Sequence, residues 1–101
     1  LAPFVSVTCD VKIGNHVTIG AFSNAGHGTV IGDGCQISSH CGINGDATLG
    51  EGVFLGSHAC IIPKIKVGSW AYVGAGSVVV KNTAANVVTF GSPAQVYRKL
   101  A

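Results

Sequence analysis

A histidine and a glycine placed eighteen residues later could carry acyl-transfer chemistry in this chain. His27 stands in the stretch GHGTVIGDG and Gly45 in the stretch CGINGDA. An imidazole is half neutral near physiological pH and can take a proton from a hydroxyl or an amine. A glycine leaves its main-chain N–H unshielded, so that it can stabilise the oxyanion of a tetrahedral intermediate. The pair predicts a general base and an oxyanion donor, provided that the fold brings residues eighteen apart together.

A six-residue repeat supplies that geometry. Counting by six from Leu1 meets a large aliphatic residue at thirteen of fourteen positions, the exception being Ala25. The residue four places later is nearly always small or β-branched, and glycine directly follows the aliphatic residue in eight hexads. A period of six fits a short strand followed by a corner. Three such sides close a triangular coil of eighteen residues, and successive coils stack at about 4.8 Å.

The corner of each hexad is predicted three places after the aliphatic residue. This column holds mostly glycine, asparagine, aspartate and histidine, which tolerate positive φ best. His16, His40 and His58 fall in the column, whereas His27 lies one place before a corner. His27 is therefore the histidine that the repeat does not explain.

The repeat predicts an all-β chain with two parts. Four to five coils are expected over 1–84 and a capping segment over 85–101. In the capping segment we expect a strand at 87–90, then a break, and a helical stub over 94–101. The apolar side of that stub would be formed by Val96, Tyr97 and Leu100. Because there is no methionine and the repeat is already running at residue 1, we expect a C-terminal catalytic part of a longer protein.

The composition of the chain bears on which partners it can bind and on the compartment in which it is expected. A net charge of +2 from ten charged residues provides no electrostatic surface for nucleic acid or for an anionic membrane. The aliphatic runs are too short to span a bilayer, and no signal peptide is recognisable. The cysteines form no CxxC pair, which favours free thiols in a reducing compartment. We therefore expect a cytoplasmic protein.

The repeat [LIV]-G-x-x-[small]-x resembles that of left-handed parallel β-helix proteins, and the ending VGAGSVVVKN with VTFGSPAQV is similar to that of hexapeptide acyltransferases. GHGTVIGDG with SSHCGINGDATLGEGVFLGSHACI resembles the sialic acid O-acetyltransferase group, which includes bacillosamine-type sugar acetyltransferases. This resemblance implies acetyl-CoA as co-substrate, a sugar or nucleotide-sugar acceptor, an N-terminal sugar-nucleotide-binding domain, and a homotrimer with active sites between subunits. It also gives the oxyanion role to Gly45. Members usually carry an acid directly after the histidine, where this chain has Gly28, and a second polar residue, often histidine, where it has Gln36.

A stripe of small residues is the predicted path of the pantetheine arm. The column Ala21, Ser39, Ser57 and Ala75 would form a smooth floor parallel to the axis, although small residues also suit tight coils. Main chain at three glycines would keep the floor approachable: Gly56, Gly74 and Gly76. Positive charges that could reach the phosphates of coenzyme A are Lys81, Arg98 and Lys99. Phe22 and Trp70, large residues at corners, indicate a subunit interface.

The residues leave two other functions open: a metal-dependent enzyme like the carbonic anhydrases of this fold, and a non-catalytic scaffold. His40 and His58 should stack, and a trimeric β-helix can hold zinc between subunits, as in the carbonic anhydrases of this fold. The histidine separations of eleven, thirteen and eighteen residues do not match that ligand spacing, so no metal is expected. A non-catalytic β-helix used for assembly is the second alternative. For the acetyltransferase we expect direct attack in a ternary complex, because no cysteine or serine is predicted beside an activating base.

Overall fold

The computed structural model describes residues 4–99, which form strands and turns and contain no helix, hence none that could cross a membrane. Two-residue strands recur every six residues up to Val79, and two longer strands follow. The strands are β1 (Ser6–Val7), β2 (Lys12–Ile13), β3 (Thr18–Ile19), β4 (Asn24–Ala25), β5 (Val30–Ile31), β6 (Gln36–Ile37), β7 (Gly42–Ile43), β8 (Thr48–Leu49), β9 (Phe54–Leu55), β10 (Cys60–Ile61), β11 (Lys66–Val67), β12 (Tyr72–Val73), β13 (Val78–Val79), β14 (Val87–Phe90) and β15 (Gln95–Lys99).

Each short strand pairs in parallel with the strand three further along the chain. The register is eighteen residues, so that Ile13 pairs with Ile31 and Ile19 with Ile37. The pairing builds three sheets, ordered β1-β4-β7-β10-β13, β2-β5-β8-β11 and β3-β6-β9-β12-β14-β15. They form the faces of a solenoid of about five turns, measuring 32 × 23 × 21 Å. The predicted left-handed β-helix of hexapeptide repeats is confirmed.

The interior holds the aliphatic column and the small column. Ile31, Ile43 and Leu55 are at most 1% exposed. Four small-column side chains donate to carbonyl oxygens of the next coil at 2.9 to 3.3 Å, which satisfies polar atoms inside the tight coil: Ser23, Thr29, Cys35 and Cys41. Burial raises the pKa of both Cys35 and Cys41, so these thiols are poor nucleophiles.

The corners fall where the repeat predicts them. Every member of the predicted corner column from Phe4 to Gly76 has a φ between 58° and 74°. Asn82, its last predicted member, is not among the residues with positive φ. The final coil is two residues shorter, since Val73 pairs with Thr89 sixteen residues later. Asn86, at φ 57°, makes the corner that follows.

The C-terminal segment is partly as predicted. The strand at 87–90 is confirmed as β14, which pairs in parallel with β12. The helical stub over 94–101 is wrong: its described part is β15, antiparallel to β14 after a turn with a cis Ser92–Pro93 bond. Strand β14 ends the parallel sheet, and its free edge offers unpaired N–H and C=O groups that a returning strand satisfies. Leu100 and Ala101 lie outside the described residues.

Residues eighteen apart stack into columns along the three long edges of the prism. The histidine edge carries Cys9, His27, Gly45, Pro63 and Lys81, with Asp10, Gly28, Asp46 and Lys64 at its corners. The acidic edge carries Asn15, Asp33, Glu51 and Ser69, with His16, Gly34, Gly52 and Trp70 at its corners. The aromatic edge carries Ala21, Ser39, Ser57 and Ala75, and at its corners the rings of Phe4, Phe22, His40 and His58 stack with centroids 4.8 to 5.1 Å apart.

Candidate functional site

The imidazole of His27 projects from the histidine edge and reaches the preceding coil. Its side chain is 63% exposed, and Nε2 lies 3.6 Å from Oδ2 of Asp10, which is 78% exposed. This distance is longer than a hydrogen bond, and because both side chains are exposed, water screens the contact. It turns the imidazole towards the coil of Asp10, so the acid that the sequence lacks at Gly28 comes from the coil before.

Asp10 was not predicted as a site residue, although the repeat contains the signal that finds it. Asp10 is eighteen residues before Gly28, in the same corner column. An acid that lies next to His27 in space therefore need not follow it in the sequence. Including the positions eighteen residues before and after each sequence neighbour of a candidate base, here Gly28, would have found Asp10.

Gly45 lies one rung after His27, as predicted. The N–H of Asp46 donates to the His27 carbonyl oxygen at 2.8 Å, and a Cβ added to Gly45 would lie 3.4 Å from that oxygen. The residue one rung after Gly45 is Pro63, whose side chain cannot accept a hydrogen bond. Across residues 4–99, no hydrogen bond from the Gly45 N–H is found.

Two of the four equivalent N–H groups on the acidic edge are occupied. Asn15 N donates to Asp33 Oδ1 at 2.7 Å, and Glu51 N donates to Ser69 Oγ at 3.1 Å. In both cases the acceptor side chain belongs to the residue eighteen places later. Pro63 at that place leaves the Gly45 N–H free to stabilise an oxyanion.

Cys9 occupies the same column, one rung before His27. It is an exposed free thiol, and its carbonyl oxygen accepts from the Gly28 N–H at 3.2 Å. Cys60, by contrast, is partly buried, with Sγ 3.5 Å from Asn44 Nδ2. Because Cys9 stands one rung from His27, the expected direct attack has to be tested against a covalent route.

The predicted coenzyme A residues are divided between two edges. Ser39, Ser57 and Ala75 stack on the aromatic edge, and each is at least partly exposed. Gly56 and Gly74 are buried, and a Cβ on Gly74 would collide with the Phe90 ring, so neither provides an open floor. The approachable part of the stripe is therefore made by the two serines and Ala75.

Lys81 lies on the histidine edge, together with His27 and Gly45. It is exposed and stands three rungs after His27, about 14 Å along the axis. One full side of the triangle separates this edge from the serine stripe. A single chain therefore brings together His27, Gly45 and Lys81, but it does not bring Ser39 and Ser57 to them.

A cleft of about 390 Å³ lies at the C-terminal end of the solenoid. Its lining includes Lys81, Asn82, Thr83, Thr89 and Gln95, and no carboxylate. Thr89 is 2% exposed, and its hydroxyl has no hydrogen-bond partner among the residues that the structure describes. The cleft does not include His27 or Gly45, so its concave shape does not by itself mark the place of acyl transfer.

The stacked histidines do not form a metal site in the part of the chain that the structure describes. No group of three or more His, Cys, Asp or Glu side chains is arranged there to hold an ion. The rings of His40 and His58 lie 4.8 Å apart at an interplanar angle of 6°. Such flat stacking does not direct two ring nitrogens at one ion, because nitrogen lone pairs lie in the ring plane.

Comparison with known families identifies the repeat. The family model described as bacterial transferase hexapeptide (six repeats) matches residues 10–45 and 46–81, more than half of the chain. The acyl-[acyl-carrier-protein]–UDP-N-acetylglucosamine O-acyltransferase of Pseudomonas paraeruginosa is 28% identical over 86 residues, which cover 85% of this chain and 33% of that protein. The chain thus spans about a third of the length of the curated relatives it matches.

Two solved structures are similar over nearly all of this chain. Serine acetyltransferase of Neisseria gonorrhoeae superimposes with a TM-score of 0.90 at 28% identity, covering 96% of this chain and 41% of that one. A histidine-to-alanine variant of GDP-perosamine N-acetyltransferase from Caulobacter crescentus, in complex with CoA and GDP-perosamine, superimposes with a TM-score of 0.56 at 28% identity, covering 93% of this chain and 53% of that one.

Proposed function

Because this chain belongs to the bacterial hexapeptide transferase family, we propose that it transfers an acetyl group from acetyl-CoA to a hydroxyl or amine of a sugar or nucleotide sugar. One observation carries the proposal: His27, in contact with Asp10, stands one rung from the unoccupied N–H of Gly45. The named relatives support acyl transfer, and two of them act on nucleotide-linked sugars by name. The CoA in the Caulobacter crescentus structure supports the donor.

The mechanism follows from the two groups. His27 takes the proton from the acceptor hydroxyl or amine as its oxygen or nitrogen attacks the thioester carbonyl carbon. The carbonyl oxygen becomes an oxyanion, and the Gly45 N–H stabilises it. The carbon–sulfur bond then breaks, and the departing thiolate receives the proton from His27. Asp10 holds the imidazole and stabilises its protonated form.

The donor site is proposed to form between subunits of a homotrimer. The serine stripe and His27 lie on different edges of one chain, so an arm lying along Ser39 and Ser57 is separated from His27 of the same chain by one side of the triangle. In the assembly that we propose, the aromatic edge of one subunit lies against the histidine edge of its neighbour. The arm would then run in the groove between them, with Lys81 near the phosphates of coenzyme A.

A matched pair of histidine variants tests this function. His27→Asn removes the base, while His16→Asn makes the same change on the acidic edge at a corner that asparagine tolerates. Thiol release from acetyl-CoA is measured with nucleotide-linked amino sugars, sialic acids and serine as acceptors. We expect His27→Asn to lose about a hundredfold or more in turnover and still bind coenzyme A by calorimetry, and His16→Asn to remain active.

The outcomes separate the competing functions. Turnover retained by His27→Asn would show that His27 is not the base. Turnover with serine alone would replace the sugar acceptor by an amino acid, as the name of the Neisseria gonorrhoeae structure suggests for that protein. No binding of acetyl-CoA by the unaltered chain would favour the scaffold alternative.

A further inference from the structure

We propose that Asp46 is a further residue of this site, and that its carboxylate accepts a hydrogen bond from the acceptor beside His27. The proposal rests on the proposed function. It is carried by the space next to Gly28, the corner residue that follows His27. A Cβ added to Gly28 would collide with Oδ1 of Asp46 and would lie 3.3 Å from its Cγ. The Asp46 carboxylate therefore leaves its own rung and occupies the place that a side chain at position 28 would take.

The main chain fixes this carboxylate relative to His27. The N–H of Asp46 donates to the His27 carbonyl oxygen at 2.8 Å, and Asp46 has a φ of 60°, like the other corner residues. Position, backbone conformation and the lack of a side chain at Gly28 together direct the Asp46 carboxylate over the rung of His27. A side chain at position 28 would have excluded it.

Two carboxylates thus lie on opposite sides of the rung of His27 and Gly28. Asp10 comes from the coil before and lies 3.6 Å from the imidazole. Asp46 comes from the coil after, and within residues 4–99 no cation lies within ion-pairing distance of its carboxylate. The nearest charged corner residue in its column is Lys64, one rung further on. Asp10 already serves the imidazole, while the oxygens of Asp46 remain available.

The hydrogen-bonding chemistry of the Asp46 carboxylate suits the molecule that accepts the acetyl group. An ionised carboxylate only accepts hydrogen bonds, and the nucleophile of an acetyl acceptor carries an N–H or O–H. Because Asp10 draws the imidazole towards the preceding coil, the approach to His27 from the following coil is left to the acceptor. Asp46 on that coil can hold the acceptor through a charge-assisted hydrogen bond while His27 takes the proton.

The first test replaces the carboxylate without changing its shape. Asp46→Asn keeps a residue that tolerates the corner conformation, as Asn86 does at φ 57°. We expect the acceptor KM to rise about tenfold or more, while the KM for acetyl-CoA and the melting temperature stay unchanged. Asp33→Asn on the acidic edge is the matched control and should change neither KM.

The second test moves the carboxylate one coil back. Gly28→Asp alone should raise the acceptor KM, because its Cβ would push the far end of the Asp46 side chain out of this place. Asp46→Gly opens the space, and aspartate is compatible with the corner conformation, since Asp10 has a φ of 59°. Asp46→Gly alone should raise the acceptor KM. The double variant Gly28→Asp/Asp46→Gly should therefore have an acceptor KM close to that of the unaltered chain.

The two proposals fail in different ways. If Asp46→Asn leaves the acceptor KM unchanged while His27→Asn abolishes turnover, the assignment of Asp46 is overturned and the proposed function stands. A fall in melting temperature of Asp46→Asn with unchanged KM would reduce Asp46 to a structural corner residue. If His27→Asn keeps its turnover, it is the proposed function that fails.

Discussion

His27 differs from the other three histidines by one position in the repeat, and that position sets it apart from the corners. His16, His40 and His58 occupy corners at φ 58° to 63°, where the backbone accounts for them. His27 has no such structural reason, and its imidazole is exposed beside Asp10. The contact joins residues seventeen apart in sequence, because neighbouring coils bring such residues side by side. In a solenoid, the groups that assist a base are found on the rungs before and after it.

Replacing Cys9 tests whether the acetyl group is transferred directly or through an acetylated thiol. Cys9→Ala should leave the transfer rate unchanged if the acceptor attacks the thioester directly. With acetyl-CoA and no acceptor, the intact mass of the protein should show no acetyl group on Cys9. Cys60→Ala is the matched control, since that thiol is partly buried in β10. Loss of activity in Cys9→Ala together with an acetylated Cys9 would establish the covalent route.

The hexad is the element that positions every group of the site, and its glycines allow the coils to approach. A Cβ added to Gly20 would lie 2.6 Å from the main-chain nitrogen of Ser39 in the next coil. Gly34, at a corner, would have nothing within 4 Å of an added Cβ, and its φ is 73°. Gly20 is required because a side chain there would collide with the main chain of the next coil. Gly34 is required only because its φ is positive.

This contrast gives a stability prediction for the element. Gly20→Ala should lower the free energy of unfolding by about 1–3 kcal/mol, because the coils must separate to admit the methyl group. Gly34→Asn should change it by less than about 0.5 kcal/mol, since asparagine tolerates positive φ and the space is open. Urea unfolding at equilibrium measures both. Equal effects of the two substitutions would contradict the assignment of the first glycine to coil stacking.

At the scale of the whole molecule, the proposed trimer is what completes the site. The aromatic edge carries exposed rings, with Phe22 55% exposed and stacked between Phe4 and His40. This edge also carries the serine stripe, so an interface formed here brings the proposed donor path to a neighbouring His27. Trp70, 58% exposed, lies on the acidic edge with its ring over Gly52, away from that groove.

Phe22→Asn should therefore weaken the trimer and reduce acetyl transfer together. Asparagine tolerates the φ of 62° at this corner, so the coil itself should remain folded. Light scattering across a dilution series measures the subunit number, and His16→Asn on the acidic edge provides the control. A monomeric unaltered chain with full activity would contradict a site shared between subunits.

The repeat alone determined most of the fold. A period of six residues predicts the strands, the corners and the eighteen-residue register. Because each hexad repeats the same local preferences, a wrong assignment in one hexad does not shift the assignment of the next. The buried Ile43 and Cys41, the corner at His40 and the stacking of Gly45 after His27 all follow from counting. The same count separates His27 from the corner histidines.

The tertiary structure decided what depends on contacts between coils. The imidazole of His27 reaches the carboxylate of Asp10 on the coil before, and the carboxylate of Asp46 reaches back over Gly28. The direction of a side chain is not set by its place in the repeat. The segment that could be a helix became β15 because the free edge of β14 lay beside it. His27 and Gly45 could thus be found from local, periodic preferences, whereas their partners required knowledge of which side chains cross from one coil to the next.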